Sequence, residues 1–265
     1  MNQVALITGA SSGIGKDLAY VHAEKGKDLV IIARREEQLL DLKKDIEKKH
    51  ATQVKVIAKD LIAPNAAREI YDELAKDGIE VEYLINNAGF GGHGLFHEQD
   101  ADFQQNMITL NISSLTEMNR LFLPQMVARN SGRILNVAST AGYLPGPLQA
   151  VYFATKAYVL SLSQGIAGEL MGTNVSSTAL CPGAVATEFM EVANLLDTNL
   201  IKGAKSSRSC AEFGYKAMMK GKIDAVNEPW LGFQLKYIIQ FVPKKLVFKM
   251  IRDLQEKKTH KSSTN

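Results

Sequence analysis

Two rhythms of apolar and polar positions alternate along the chain. Short, almost unbroken apolar runs recur at Val4–Thr8, Asp28–Ala33, Gln53–Ala58, Val81–Ile85, Arg133–Ala138, Val175–Leu180 and Ile223–Val226. Between them lie longer stretches with helical spacing, at about Ile14–Lys25, Glu36–Lys49, Asn65–Lys76, Phe103–Ala128, Val151–Leu170 and Ser206–Met219. In Glu36–Lys49 the apolar stripe is Leu39, Leu42 and Ile46, on an otherwise charged helix. Strands buried on both faces read as continuous apolar runs, and parallel neighbours need a helical crossover between them. The pattern therefore predicts a doubly wound α/β fold, with a mostly parallel seven-stranded sheet and helices on both faces. From Trp230 to Lys258 the pattern changes to two amphipathic helical stretches separated by Pro243. Residues 1–229 are thus expected to form the α/β domain, and 230–265 a helical extension of it, with no linker, repeat or low-complexity segment between them.

Composition narrows the function classes. Of 265 residues, 46% are hydrophobic and 22% charged, and the net charge is +3. This is an ordinary globular balance with no bulk electrostatic argument for nucleic acid. Cys181 and Cys210 are too few for a disulfide scaffold or a four-cysteine zinc site, and read as free thiols in a reducing compartment. The first residues lack a basic segment, and their apolar run ends at a glycine-rich turn. A signal peptide is not expected, and the predicted location is cytoplasmic. His22, His50, His93, His97 and His260 show no compact metal-ligand spacing, so no metal site is expected.

The first strand runs into Gly9-Ala10-Ser11-Ser12-Gly13-Ile14-Gly15, which opens a helix. Glycines there let a phosphate approach the backbone, and the helix start offers unpaired N–H groups. Ser11 and Ser12 add hydroxyls. After the second strand come Arg34 and Arg35, with no acid in the preceding Ile31-Ile32-Ala33. An acid would hold two free ribose hydroxyls, whereas guanidinium groups suit a 2′-phosphate. NADP(H) is therefore favoured, with NAD(H) the alternative cofactor. Asp60, followed by Leu61, comes after the third strand, where it can accept from an adenine amino group or cap a helix. Asn86-Asn87-Ala88-Gly89 ends the fourth strand, where open α/β sheets bind ligands. Gly89, Gly91, Gly92 and Gly94 are read as a flexible loop with room for substrate.

Tyr152 and Lys156 lie four residues apart on one predicted helix, so they share a face. An ammonium beside a phenol favours its ionised form and suits the pair to proton transfer. Ser139, at the end of the preceding strand, can polarise a carbonyl beside Tyr152.

Taken together, these stretches resemble the short-chain dehydrogenase/reductase family. The resemblance is carried by Thr8–Gly15, Asn86-Asn87-Ala88-Gly89, Ser139, Tyr152-Phe153-Ala154-Thr155-Lys156, Pro182-Gly183 and Thr187, in family order. It implies a Rossmann-type fold and a catalytic set of Ser139, Tyr152 and Lys156, completed by Asn111. Asn111 would hold a water near Lys156 through a local helix irregularity. Lys156 would also hold the nicotinamide ribose and lower the Tyr152 pKa. Pro182, Gly183, Val185 and Thr187 would line the nicotinamide. The implied activity is hydride transfer between nicotinamide and a carbonyl or alcohol substrate. A cofactor-binding scaffold without turnover, or dehydratase or epimerase chemistry, are the alternatives on the same fold.

The segment at about 188–206 is expected to be a substrate lid. Leu144, Gln149, Tyr158, Phe189, Met190 and Leu195 are candidate pocket residues and suggest a mainly apolar substrate. The long helices at 103–128 and 151–170 imply a homodimer or homotetramer through the same resemblance. The tail carries Lys236, Lys244, Lys245, Lys249, Arg252, Lys257, Lys258 and Lys261 against Asp253 and Glu256. Its apolar stripes are Trp230, Phe233, Tyr237, Ile238 and Phe241, then Leu246, Val247, Met250, Ile251 and Leu254. Docking on its own domain to close the pocket is favoured over a subunit contact or a membrane surface. The tail resembles those of some DltE-like broad-specificity reductases.

Overall fold

A computed structural model of the chain describes residues 1, 3–201 and 203–256. Lys257, Lys258, His260 and Lys261 lie outside the described residues. Seven parallel strands form one sheet: β1 (Val4–Thr8), β2 (Leu29–Ala33), β3 (Val54–Ala58), β4 (Val81–Asn86), β5 (Gly132–Val137), β6 (Val175–Cys181) and β9 (Asp224–Val226). They are ordered β3-β2-β1-β4-β5-β6-β9. Two further short strands, β7 (Val185–Ala186) and β8 (Lys205–Ser206), pair parallel outside it. That ladder is absent from the sequence pattern because two-residue strands carry no periodicity. It ties together the two ends of the expected lid.

The strand period of two divides the core. Ala5, Ile7, Leu29, Ile31, Ile85 and Leu135 face α1 (Gly13–Ala23), α2 (Glu36–Lys49) and α8 (Ser207–Met219). Val4, Leu6, Val30, Ile32, Leu84 and Ile134 face α3 (Ala66–Lys76) and α5 (Leu115–Ala128). The sheet is therefore covered on both faces, as its unbroken apolar runs require. The strand order reverses between β1 and β4, so the loops after these parallel strands part and leave a crevice at their carboxyl ends.

The long helix expected over 103–128 is one helical path with a defect. α4 (Ala101–Ile108) passes into a π-helical turn, Thr109–Ser114, before α5. Asn111 sits in that turn. A π turn adds a residue and rotates the helix face, which turns a polar side chain toward the crevice. α6 (Ala150–Glu169) carries Tyr152 and Lys156.

After β6 come α7 (Phe189–Val192) and a 3₁₀ turn, Asn199–Ile201. The first tail helix departs from expectation. It is α9 (Pro229–Phe233), then π-helical Gln234–Ile238, then 3₁₀ Ile239–Phe241. Its aromatic stripe is not buried: Trp230 is 69% and Phe241 80% exposed. α10 (Lys244–Gln255) does dock, but through Val247, Ile251 and Gln255, spaced four apart on one face. Leu246, Met250 and Leu254 stay exposed. No described helix is long and apolar enough to cross a membrane.

Candidate active site

Gly9 has φ +66, and a Cβ there would stand 2.9 Å from both Ala88 Cα and Asn87 Nδ2. A Cβ at Gly15 would collide with the Gly9 carbonyl. The turn after β1 is thus folded tightly against the turn after β4. Asn87 holds it there, donating to Thr8 O at 3.0 Å and Gly9 O at 3.1 Å. Thr8 Oγ1 accepts in return from the backbone N–H groups of Asn87 and Ala88, both at 3.0 Å. Thr8 opens the glycine-rich stretch that carries the family resemblance but was not singled out as a site residue. Ser12 precedes α1 but makes no side-chain cap, so its hydroxyl does not cover the helix start. A Cβ at Gly13 would meet Thr187 Cγ2 at 3.0 Å, which brings the segment after β7 over the turn.

The two arginines differ. Arg35 Nη2 donates to Ser11 Oγ at 3.1 Å and Ser12 Oγ at 3.0 Å, and pairs with Glu188 at 2.8 Å. Arg34 is exposed and makes no hydrogen bond or ion pair among the described residues. Asp60 is exposed, and its carboxylate accepts from Ile62 N at 3.0 Å, the local turn bond that a capping role predicts. Leu61 is buried in the core below it. The glycine cradle, the open start of α1 and the Ser11–Ser12–Arg35 donor set fit an anionic dinucleotide.

Tyr152, Ser139, Lys156 and Asn111 converge from three places: α6, the segment after β5 and the π turn. Ser139 lies just past β5 and caps the 3₁₀ turn Thr140–Tyr143 by accepting from Ala141 N at 3.1 Å. It donates to Pro182 O at 3.3 Å. Gly183, next to Pro182, is held by Asn227, whose Oδ1 accepts from its N–H at 3.1 Å. Val185 is buried in β7. Lys156 Nζ donates to Val137 O at 2.8 Å and lies 5.8 Å from the Tyr152 ring centroid. Gly89 stands between Lys156 and Asn111: a Cβ there would lie 3.5 Å from Nζ and 2.9 Å from Oδ1. Asn111 Nδ2 donates to Phe90 O at 2.9 Å and to Thr155 Oγ1 at 3.1 Å. Thr155, inside the motif yet unassigned at the sequence level, fixes the amide's orientation.

The protonation balance differs from expectation. Burial pushes Tyr152 up to about 12, and a hydrogen bond with Ser139 pulls it partly back. Burial also lowers Lys156 to about 8. Desolvation opposes both charged forms, and for the phenol it outweighs the Ser139 hydrogen bond.

The apolar surroundings also need correction. Tyr152 packs on Phe189 and shares an apolar cluster with Phe90, Phe103, Met107, Leu144, Val247 and Ile251. Phe189 and Leu144 are where the sequence suggested, and Gln149 is buried nearby at the start of α6. Tyr158 faces outward and hydrogen-bonds Thr116 at 3.0 Å. Met190 and Leu195 instead form a small core with Ala193 inside the expected lid. The loop glycines serve contact rather than freedom: a Cβ at Gly91 would lie 2.8 Å from Phe189 and 3.1 Å from Tyr152. Among the described residues, no three His, Cys, Asp or Glu side chains gather as a metal site.

The family model for short chain dehydrogenase matches residues 3–195. The chain belongs to this family. It is similar to very-long-chain 3-oxoacyl-CoA reductase-B of Danio rerio, at 37% identity over 71% of this chain and 61% of that protein. It is also similar to human 17-beta-hydroxysteroid dehydrogenase type 3, at 36% identity over 76% of this chain and 64% of the relative. This short chain dehydrogenase therefore spans about three fifths of the length of the curated relatives it matches. Among solved structures, the short-chain dehydrogenase from Sphingobium yanoikuyae in complex with NADPH superposes with a TM-score of 0.80. It shares 29% identity and covers 91% of this chain and 96% of its own.

Proposed function

We propose that this chain is an NADP(H)-dependent oxidoreductase acting on a carbonyl or alcohol substrate, with Tyr152 as general acid and base. The observation that carries this reading is the position of Tyr152. It is buried beside Ser139, against Phe189 and in one apolar cluster with Val247 and Ile251, at the crevice where the glycine turn and the Asn87–Gly89 turn meet. A bound reduced nicotinamide supplies a hydride. Ser139 orients the substrate carbonyl, and Tyr152 gives its phenolic proton to the oxygen as charge develops there. In the oxidising direction the phenolate accepts that proton. Lys156 balances charge beside the phenol, and Asn111 fixes the loop that faces it. Gly9, Ser11, Ser12, Gly13, Ile14, Gly15 and Arg35 hold the phosphates and adenosine side. Asn87, Ala88, Gly89, Pro182, Gly183, Val185 and Thr187 hold the nicotinamide side. Arg34, Asp60 and Leu61 flank the adenosine.

The wall of Phe90, Phe103, Leu144, Phe189, Val247 and Ile251 supports a mainly apolar substrate, and the similarity to a very-long-chain 3-oxoacyl-CoA reductase and a 17-beta-hydroxysteroid dehydrogenase agrees with that class. Broad carbonyl specificity, as the DltE-like tail implies, belongs to the same proposal, with 188–206 as the lid. We further propose a homo-oligomer working in the cytoplasm. An apolar groove of about 580 Å³, lined by Ala150, Phe153, Ala154, Ala157 and Phe248, supports the subunit contact. The two buried free thiols suit a reducing compartment.

Titration with NADPH and NADH by nicotinamide fluorescence, followed by a ketone panel, tests the proposal. NADPH binding and consumption support it. Binding without turnover makes the chain a scaffold, and product formation without net redox makes it a dehydratase or epimerase.

A further inference from the structure

We infer that Glu188 sets how far the chain discriminates NADP(H) from NAD(H), by competing with the 2′-phosphate for Arg35 while offering a carboxylate to an unphosphorylated ribose. This rests on the cofactor reading proposed above.

Glu188 is 153 residues from Arg35 in sequence, yet its Oε2 lies 2.8 Å from Arg35 Nη2. The same guanidinium also donates to Ser11 and Ser12, within the turn that opens α1. Its partners therefore come from both sides of the cofactor groove. Thr187, next to Glu188, closes on Gly13 from above. The ion pair thus straps the segment after β7 to the end of β2 across the phosphate-binding turn. Arg35 holds the Glu188 carboxyl below the ordinary range, and Ser12 hydrogen-bonds it in the same direction. It is an anion at neutral pH.

Two chemistries follow from one carboxylate. A 2′-phosphate brought to Arg35 meets an anion already paired with that arginine, so it must displace or tolerate it. A free 2′-hydroxyl carries no charge and can donate to a carboxylate. Dinucleotide folds ordinarily supply that acid from the end of the second strand. Here that strand ends in Ala33, Arg34 and Arg35, and the acid arrives from the far side of the groove instead. The pair is half exposed, with side chains 44% and 50% accessible, so the effect is moderate and salt-dependent.

The test is titration of the wild-type chain and Glu188→Gln with NADPH and NADH at low and high salt, read by nicotinamide fluorescence. Thermal unfolding of both proteins serves as the folding control. Glu188→Gln should tighten NADPH by about threefold to tenfold and weaken NADH, with the gap narrowing as salt rises. If Glu188→Gln weakens NADPH, or shifts both cofactors equally, or changes neither, the inference is wrong. A wild type that prefers NADH would instead overturn the cofactor reading itself, which is a separate result.

Discussion

The Asn111 side chain clasps the Phe90 peptide from both sides, accepting from its N–H at 3.2 Å and donating to its C=O at 2.9 Å. Phe90 belongs to the loop that packs on Tyr152. The π turn therefore supports the loop beside Tyr152. Asn111→Leu should leave the Phe90 N–H and C=O without these partners, at a cost of about 1–3 kcal/mol. Denaturant midpoints should fall, and KM for the ketone should rise more than the Kd for NADPH. Equal effects on both constants would contradict a role confined to this loop.

Lys156 is a buried cation bonded to Val137 O. Its folded pKa, about 8, lies below the ordinary 10.5. Between those values the unfolded chain binds more protons, so this group's contribution to stability rises with pH and is lost as pH falls through about 8. Lys156→Met removes the desolvated charge. It should stabilise the fold by about 1–3 kcal/mol near neutral pH, and the difference from wild type should shrink toward pH 10.5 while activity disappears. Urea unfolding of both proteins across this range decides it. A Lys156→Met variant less stable at neutral pH would show that the ammonium is a net stabilising group.

Arg35 and Arg34 separate cleanly. Arg35→Ala removes the guanidinium that reaches Ser11 and Ser12 and should weaken NADPH by about tenfold or more, with little change for NADH. Arg34→Ala should have a smaller effect. Fluorescence titration of both variants checks the order, and a larger loss from Arg34→Ala would reverse the assignment.

The C-terminal extension reaches the site through two side chains. Val247 and Ile251 share an apolar cluster with Tyr152 and Phe189, and the loop residue His93 hydrogen-bonds Gln255 O at 2.8 Å. Truncating both to alanine should enlarge the substrate wall and favour bulkier ketones, leaving NADPH affinity unchanged. Each truncation should cost about 1–4 kcal/mol of stability, depending on how far the site collapses. Competition kinetics between a small and a bulky ketone measures the shift.

How legible all this was depends on the kind of signal. Uniform apolar runs such as Leu29-Val30-Ile31-Ile32 fixed the strands, because burial on both sheet faces leaves little room for polar residues. The i,i+4 pairing of Tyr152 and Lys156 was equally plain. The π turn at Asn111 was not legible from periodicity, since one inserted residue barely alters a helical pattern. It came from the family resemblance. The aromatic stripe at Trp230, Phe233 and Tyr237 misled, because amphipathic spacing reports a shared face and not what covers it. Glu188 was hidden for another reason. Its partner Arg35 is on a different strand's loop, and only the fold brings the two across the turn. The sign of the Tyr152 shift depended on burial, which a spacing rule does not contain.

The most direct test of the account follows the hydride and the proton together. The wild type and Tyr152→Phe are each given NADPH deuterated at the transferring C4 position and an apolar ketone, and the alcohol is analysed by mass spectrometry. The account predicts one deuterium on the carbinol carbon from the wild type, and at least a hundredfold slower formation by Tyr152→Phe, about the loss expected when a general acid is removed. NADPH consumption with no labelled alcohol, or a Tyr152→Phe variant as fast as the wild type, would contradict it.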